Sequence, residues 1–320
     1  MRIVGKIIIF TALIFIVALF SREAGAETKI GVLMFSGESR YMEATKGFMD
    51  KLKEEGFKEP LTKFIIAKAG ANKAKAMELV RNFAAAKMDL IFTLGTSITI
   101  PVSREIKDVP IVFSVIYDPI AAGIARDWKS SGNNTTGVSS KLPMSKLMDV
   151  LKEFTPVTRL AVLYTPGEHN SETAVKDLQA IQAEYRIKVI PVPLTKKEEV
   201  AQILPEVIRT TDAIYVTGSN LVDGQISQIV DMANKAGRVT ISHLEDLVEK
   251  GVLLGICVDT YSMGRLAGSK AVKILRGARP SSIPIETMKE YDLIINMKTA
   301  QAGAFRISPE LRAKATRIIK

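Results

Sequence analysis

Cysteine is almost absent from this 320-residue chain, which has one, and histidine occurs only twice. A single Cys257 excludes an internal disulfide and any metal site built from several cysteines. It lies in the apolar run 252–258, which places it in the core. His169 and His243 stand far apart with no further ligands at metal spacing, so hydrogen bonding is their expected role. Catalytic signatures are missing as well: there is no G-x-S-x-G elbow, P-loop, G-x-G-x-x-G or HExxH. The serines have no histidine and acid partners in any recognisable pattern. No catalytic residue, metal or cofactor is therefore expected. Lys and Arg (44) outnumber Asp and Glu (34), for a formal charge of +10. These cations are spread along helical faces, with no dense basic block interleaved with aromatics, so nucleic acid is not an expected partner.

What the chain does have begins at its N-terminus. Arg2 and Lys6 precede the uncharged apolar run 7–20, and Ala24-Gly25-Ala26 follows in a small-x-small arrangement. This is the pattern of a secretory signal sequence with cleavage after Ala26, and predicts an exported, periplasmic protein. The alternative is an uncleaved anchor, for which the run is short.

From Glu27 onward, strand-like runs alternate with helical stretches, which predicts parallel sheets with helices on both faces. Near Lys141-Leu142-Pro143 the pattern restarts, so two Rossmann-like α/β lobes are expected, joined by a multi-strand hinge. Residues 1–26 form the signal peptide. Residues 27–141 with about 259–281 form one lobe, and 142–258 with about 282–320 the other. The charged C-terminal segment reads as helical. Residues 110–123, PIVFSVIYDPIAAG, carry the clearest site signal. The β-branched run before Tyr117 and Asp118 reads as a buried strand, and Pro119 stiffens the turn after it. Ligands of open α/β sheets bind at such carboxyl ends. The strands at 89–95 and 29–35 end likewise, in Thr96-Ser97 and in Ser36-Gly37-Glu38.

Several fragments in order resemble one family: Lys46-Gly47-Phe48, Pro110-Ile111-Val112-Phe113, Asp118-Pro119, Asn134-Thr135-Thr136-Gly137-Val138-Ser139, and Asp259-x-Tyr261-x-x-Gly264. From about Lys29 to Ala300 the chain resembles periplasmic substrate-binding proteins of ABC importers with the type I, two-lobed fold, tryptophan/tyrosine-type branch. The resemblance implies a small ligand held between lobes by Ser36, Glu38, Thr96, Ser97, Tyr117 and Asp118 on one side. Thr165, Asn170, Ser219, Asn220 and His243 come from the other, and Asp259 from where the chain re-enters the first lobe. It also implies ABC permease and ATPase partners and a monomeric receptor. One departure stands out: Ser242-His243-Leu244 occupy a turn where relatives that bind amino acids carry acids, and Glu245 and Asp246 come slightly later.

Physically, a helix start at Thr96-Ser97 suits a carboxylate, or is an ordinary cap. Tyr117 offers a flat face for a planar ligand, or packs between lobes. Asp118 pairs with a ligand cation, or holds its own turn. The expected ligand is an amino acid or similarly small polar compound, aromatic ones included. The rival reading is an extracytoplasmic sensory module working with a signalling protein. A repressor effector domain is disfavoured by the export signal, and a hydrolase by the missing signatures.

Overall fold

The computed structural model describes residues 27–320, and the predicted signal sequence lies outside them. The first sheet has six parallel strands in the order β11-β5-β4-β3-β1-β2. Its members are β1 (Thr28–Met34), β2 (Thr62–Lys68), β3 (Leu90–Leu94), β4 (Ile111–Ile116), β5 (Thr135–Ser139) and the two-residue β11 (Glu286–Thr287). The second sheet has seven strands in the order β13-β12-β10-β9-β8-β6-β7. These are β6 (Arg159–Tyr164), β7 (Lys188–Pro193), β8 (Ala213–Val216), β9 (Val239–Ser242), β10 (Leu254–Cys257), β12 (Asp292–Asn296) and β13 (Arg317–Ile319). Only β10 and β12 pair antiparallel.

The central strands β3, β4, β5, β8, β9 and β10 are buried along their whole length, because helices cover both faces. β3, β4 and β8 are accordingly near-continuous apolar runs, whereas β5 (TTGVS) and β9 (VTIS) also bury hydroxyl side chains. Two expectations shift. The C-terminal segment is part strand: after a short helix (Pro309–Lys314), β13 extends the second sheet beside β12. The last crossing between sheets falls between Thr287 and Asp292, later than the boundary near 281, because β11 still pairs with β5.

The helix α1 (Ser39–Glu54) buries Tyr41, Ala44, Phe48 and Leu52 at helical spacing, and Phe48 stacks on Phe92 with ring centroids 3.9 Å apart. Across its back lies α10 (Thr260–Leu275; eight α-helices come between them in the chain), in unusually close contact. A Cβ on Gly264 would sit 2.0 Å from the Ala44 carbonyl oxygen, and one on Gly47 would sit 2.1 Å from that of Tyr261. Gly264→Ala is thus expected to push the helices apart. Alanine recovers up to about 1 kcal/mol of helix propensity, but overpacking against backbone costs about 1–3 kcal/mol and the clash here is severe. A net loss of about 2 kcal/mol, read as a lower urea midpoint at unchanged slope, is the expected result; an unchanged midpoint contradicts the close crossing.

Candidate ligand site

The carboxyl ends of both sheets face one another across a cleft. From the first sheet, β3 leads through Gly95 into α3 (Thr96–Glu105). Gly95 has φ +88°, and a Cβ there would lie 2.3 Å from the Tyr41 hydroxyl, so only glycine fits. As N-cap it offers no side chain, which leaves the first N–H groups of α3 without a side-chain cap. β4 slips register against β5 between Phe113 and Ile116, and Val115 there has φ +56°. For a β-branched residue this conformation costs about 1–3 kcal/mol. Such a bulge re-aims the side chains that follow it. Tyr117 next to it is buried in the cleft, and its hydroxyl donates to Asp177 Oδ2 of the second lobe at 2.8 Å.

From the second sheet come Asn170 in α5 (His169–Ile181), Asn220 at the start of α7 (Asn220–Gly224) and His243 after β9. Asn170 Nδ2 donates to the Gly218 carbonyl at 2.7 Å. Asn220 donates twice to Glu168 Oε2, from its backbone N–H at 3.0 Å and from Nδ2 at 3.1 Å. These bonds fix both amides with their Oδ1 atoms unpartnered. His243 is buried edge-on to Tyr117, with ring centroids 5.1 Å apart. Burial and then the Arg40 charge drive its imidazole pKa down to about 3, so it is neutral. Its Nδ1 pairs with the Tyr215 hydroxyl, the one partner that hydroxyl has among the described residues. A phenol held protonated by burial donates there, which leaves the imidazole proton on Nε2.

The lobes are bridged by Arg40, from the first turn of α1. Its guanidinium reaches Asp223 Oδ2 at 3.0 Å and, after α8 (Ile226–Lys235), Asp246 Oδ2 in α9 (Glu245–Glu249) at 2.6 Å. Glu38 lies 3.6 Å away, and Lys250 closes the network on Asp223 at 2.5 Å. Glu38 Oε2, Asp246 Oδ1 and Ser36 Oγ are buried without a partner. Burial raises the pKa of Glu38, against the Arg40 charge, and that of Glu168, against its bonds from Asn220.

Two connected spaces occupy the cleft. The inner one, about 20 Å³, is bounded by Arg40, Tyr117, Asn170, Asn220 and His243, and has room for about one water. The outer one, about 530 Å³, has apolar walls from Phe35, Met77, Ile100 and Pro101. Thr96, Ser97 and Asn220 line both.

Of the residues expected from the sequence, Thr96, Ser97, Tyr117, Asn170, Asn220 and His243 line these spaces, and Thr165 lines the outer one. Ser36 is buried just after β1 and Glu38, half-buried, stands at the N-cap of α1, each with one unpartnered side-chain oxygen. Three residues are occupied elsewhere. Asp118 accepts from the Ile120 and Ala121 N–H groups and from Lys141, so it holds its own turn. Asp259 caps α10, accepting from Tyr261 N and Ser262 Oγ. Ser219 caps α7 and pairs with Thr165 Oγ1. Arg40 and Asp223 were not expected; an arginine opening a helix carries no sequence signal of its partners.

Among the described residues no helix is long and apolar enough to cross a membrane. The sequence matches the family described as ABC transporter substrate binding protein over residues 29–319. A tyrosine-binding protein of Clostridioides difficile is 26% identical over 278 residues, 86% of this chain and 81% of its own. The structure superposes at a TM-score of 0.87 on an ABC domain in complex with L-Trp from Streptococcus pneumonia, 27% identical, covering 92% of this chain and 100% of that one. A ligand-free, open substrate-binding protein with adhesive properties from Clostridium difficile gives 0.73 at 26% identity, covering 92% and 99%. The chain belongs to the ABC transporter substrate-binding protein family, and its two lobes are those of a type I periplasmic binding protein.

Proposed function

We propose that the protein is the extracytoplasmic receptor of an ABC importer. It is exported by residues 1–26 with cleavage after Ala26, and acts as a monomer. It takes an aromatic amino acid or close analogue into the cleft and presents the closed form to a permease and its ATPase. The observation that carries this reading is that Asn170 and Asn220, each with an unpartnered Oδ1, line one inner space with Thr96 and Ser97 at the uncapped start of α3. A zwitterion supplies what both lack: an amine for the oxygens and a carboxylate for the N–H groups. The outer space lies within the usual range of about 300–1,000 Å³ for ligand pockets, and its apolar walls suit a ring. The Trp and Tyr named for the two relatives fit that description. The closer superposition on the Trp complex than on the open form accords with the lobes being closed here. Ligand contacting both lobes only when they are closed shifts the population to that state.

The protein is a carrier with no turnover of its own. Ser242 beside His243 donates to the Val216 carbonyl and accepts from Leu244 N, so it is not poised as a nucleophile. A thermal-shift screen over amino acids tests the reading, since ligand at a hundred times its dissociation constant adds roughly 2.7 kcal/mol of stability. Tyr117→Ala and Asn220→Ala are each expected to weaken binding of the hit at least about tenfold, roughly one lost hydrogen bond or ring contact. Unchanged affinity in both places the ligand elsewhere.

A further inference from the structure

The geometry points to Asp177, which lines neither space of the cleft, as the positioning residue that aims the Tyr117 ring at the ligand across the gap between the lobes. The inference rests on the reading above and adds a residue to the same site. Tyr117 is held at three points. The bulge at Val115 sets the direction in which it leaves β4, and Ser139 Oγ of β5 donates to its carbonyl oxygen at 2.6 Å. The far tip of its ring is fixed by Asp177 Oδ2 at 2.8 Å, the one partner that hydroxyl has among the described residues. Burial holds the phenol protonated, so it donates there. The first two anchors belong to the first lobe and the third to the second.

α5 carries Asn170 and, about two turns later on the same face, Asp177. That face meets the inner space through Asn170 and Tyr117 through Asp177. Asp177 Oδ2 also lies 3.1 Å from Lys141 Nζ, which donates to Asp118 Oδ2 at 2.7 Å. Removing Asp177 therefore leaves the lysine with a partner. It leaves the phenol with none, and Tyr117 is only 3% exposed. A buried hydroxyl without an acceptor costs more than the bond itself contributed. The ring relieves that cost by turning away, or the lobes relieve it by parting, and either loosens the wall against the ligand. The effect falls on escape: dissociation accelerates, while association, which starts from the open form, changes little.

Calorimetric titration and stopped-flow kinetics of the mature chain with L-tyrosine and L-tryptophan test this. Asp177→Ala is expected to bind about tenfold more weakly, with the loss in the dissociation rate. Asp177→Asn keeps an oxygen acceptor for the phenol and should stay within about threefold of the parent. Tyr117→Phe should match Asp177→Ala, and the double variant should be no weaker than either, because both changes remove the same bond. Parent affinity in Asp177→Ala, an Asn variant as weak as the Ala variant, or losses that multiply in the double variant each overturn the proposal and leave the amino-acid reading standing. A ligand-free readout is the Cζ carbon resonance of Tyr117 in tyrosine-labelled protein, assigned by its absence in Tyr117→Phe. It should move in Asp177→Ala and return close to its parent position in Asp177→Asn. If neither amino acid binds the parent, the amino-acid reading fails and this resonance decides the role of Asp177: movement restored by Asn sustains it, and no movement in Asp177→Ala overturns it.

Discussion

Arg40→Met is expected to open the cleft and weaken ligand binding about a hundredfold, without unfolding either lobe. Arg40 joins α1 of the first lobe to two aspartates of the second, with contacts of 3.0 and 2.6 Å and a side chain 3% exposed. Removing one partner of a buried ion pair while the other stays buried costs about 3–5 kcal/mol. The closed variant would face that cost at Asp246, whose remaining neighbour Lys250 is 3.8 Å away. Opening avoids it by returning both aspartates to water. The open state is therefore the cheaper escape, and the energy appears as a shift in population rather than as lost folding stability. A hundredfold loss corresponds to about 2.7 kcal/mol, just under the lower end of that range. Solution scattering should show a larger radius of gyration for ligand-free Arg40→Met than for the parent, and titration the weaker affinity. Identical scattering and affinity would remove the bridge from the mechanism.

The second large effect is on acid stability, through His243. Its folded pKa is depressed from 6.5 to about 3, so its contribution is present above 6.5 and is lost as pH falls toward 3. Each pH unit in that window costs about 1.4 kcal/mol, so roughly 3 kcal/mol is gone by pH 4. Other groups titrate here too, in both directions. Burial raises Glu38 and Glu168, so their contribution is greatest below their unfolded value of 4.5 and is lost as pH rises through their folded values. The clean quantity is the difference between the parent and His243→Gln, in which those groups largely cancel. At pH 7 the parent should be the more stable, because glutamine imperfectly replaces the acceptor for Tyr215. By pH 4 the gap should have moved by roughly 3 kcal/mol in favour of the variant, measured by urea unfolding at several pH values. Parallel pH profiles would mean the imidazole is charged or hydrated in the folded state.

The residues nominated from the sequence that line the cleft share one property. Thr96, Tyr117, Asn170, Asn220 and His243 follow apolar strand runs or open the helix after them, and the carboxyl ends of parallel strands converge by construction. A local pattern therefore sufficed to nominate them. The same logic also nominated Asp118, Asp259 and Ser219, which sit at strand ends too. Their oxygens are taken by N–H groups two or three residues away, a competition that strand-end position does not reveal. Val115 was illegible for a different reason: its β-branched side chain favours an extended strand, and the bulge holds it at φ +56° against that preference.

Alternation of apolar runs and amphipathic helices, read along the chain, was enough to determine two doubly wound α/β lobes and the edge at which a guest would sit. That information is local, because strand and helix periods are set by neighbours within a few residues. Which charges meet was decided only by tertiary structure. Arg40 finds Asp223 and Asp246 across separations of 183 and 206 residues, and nothing near any of the three indicates the others. Which donors and acceptors share the cleft is decided only when both lobes have folded against one another.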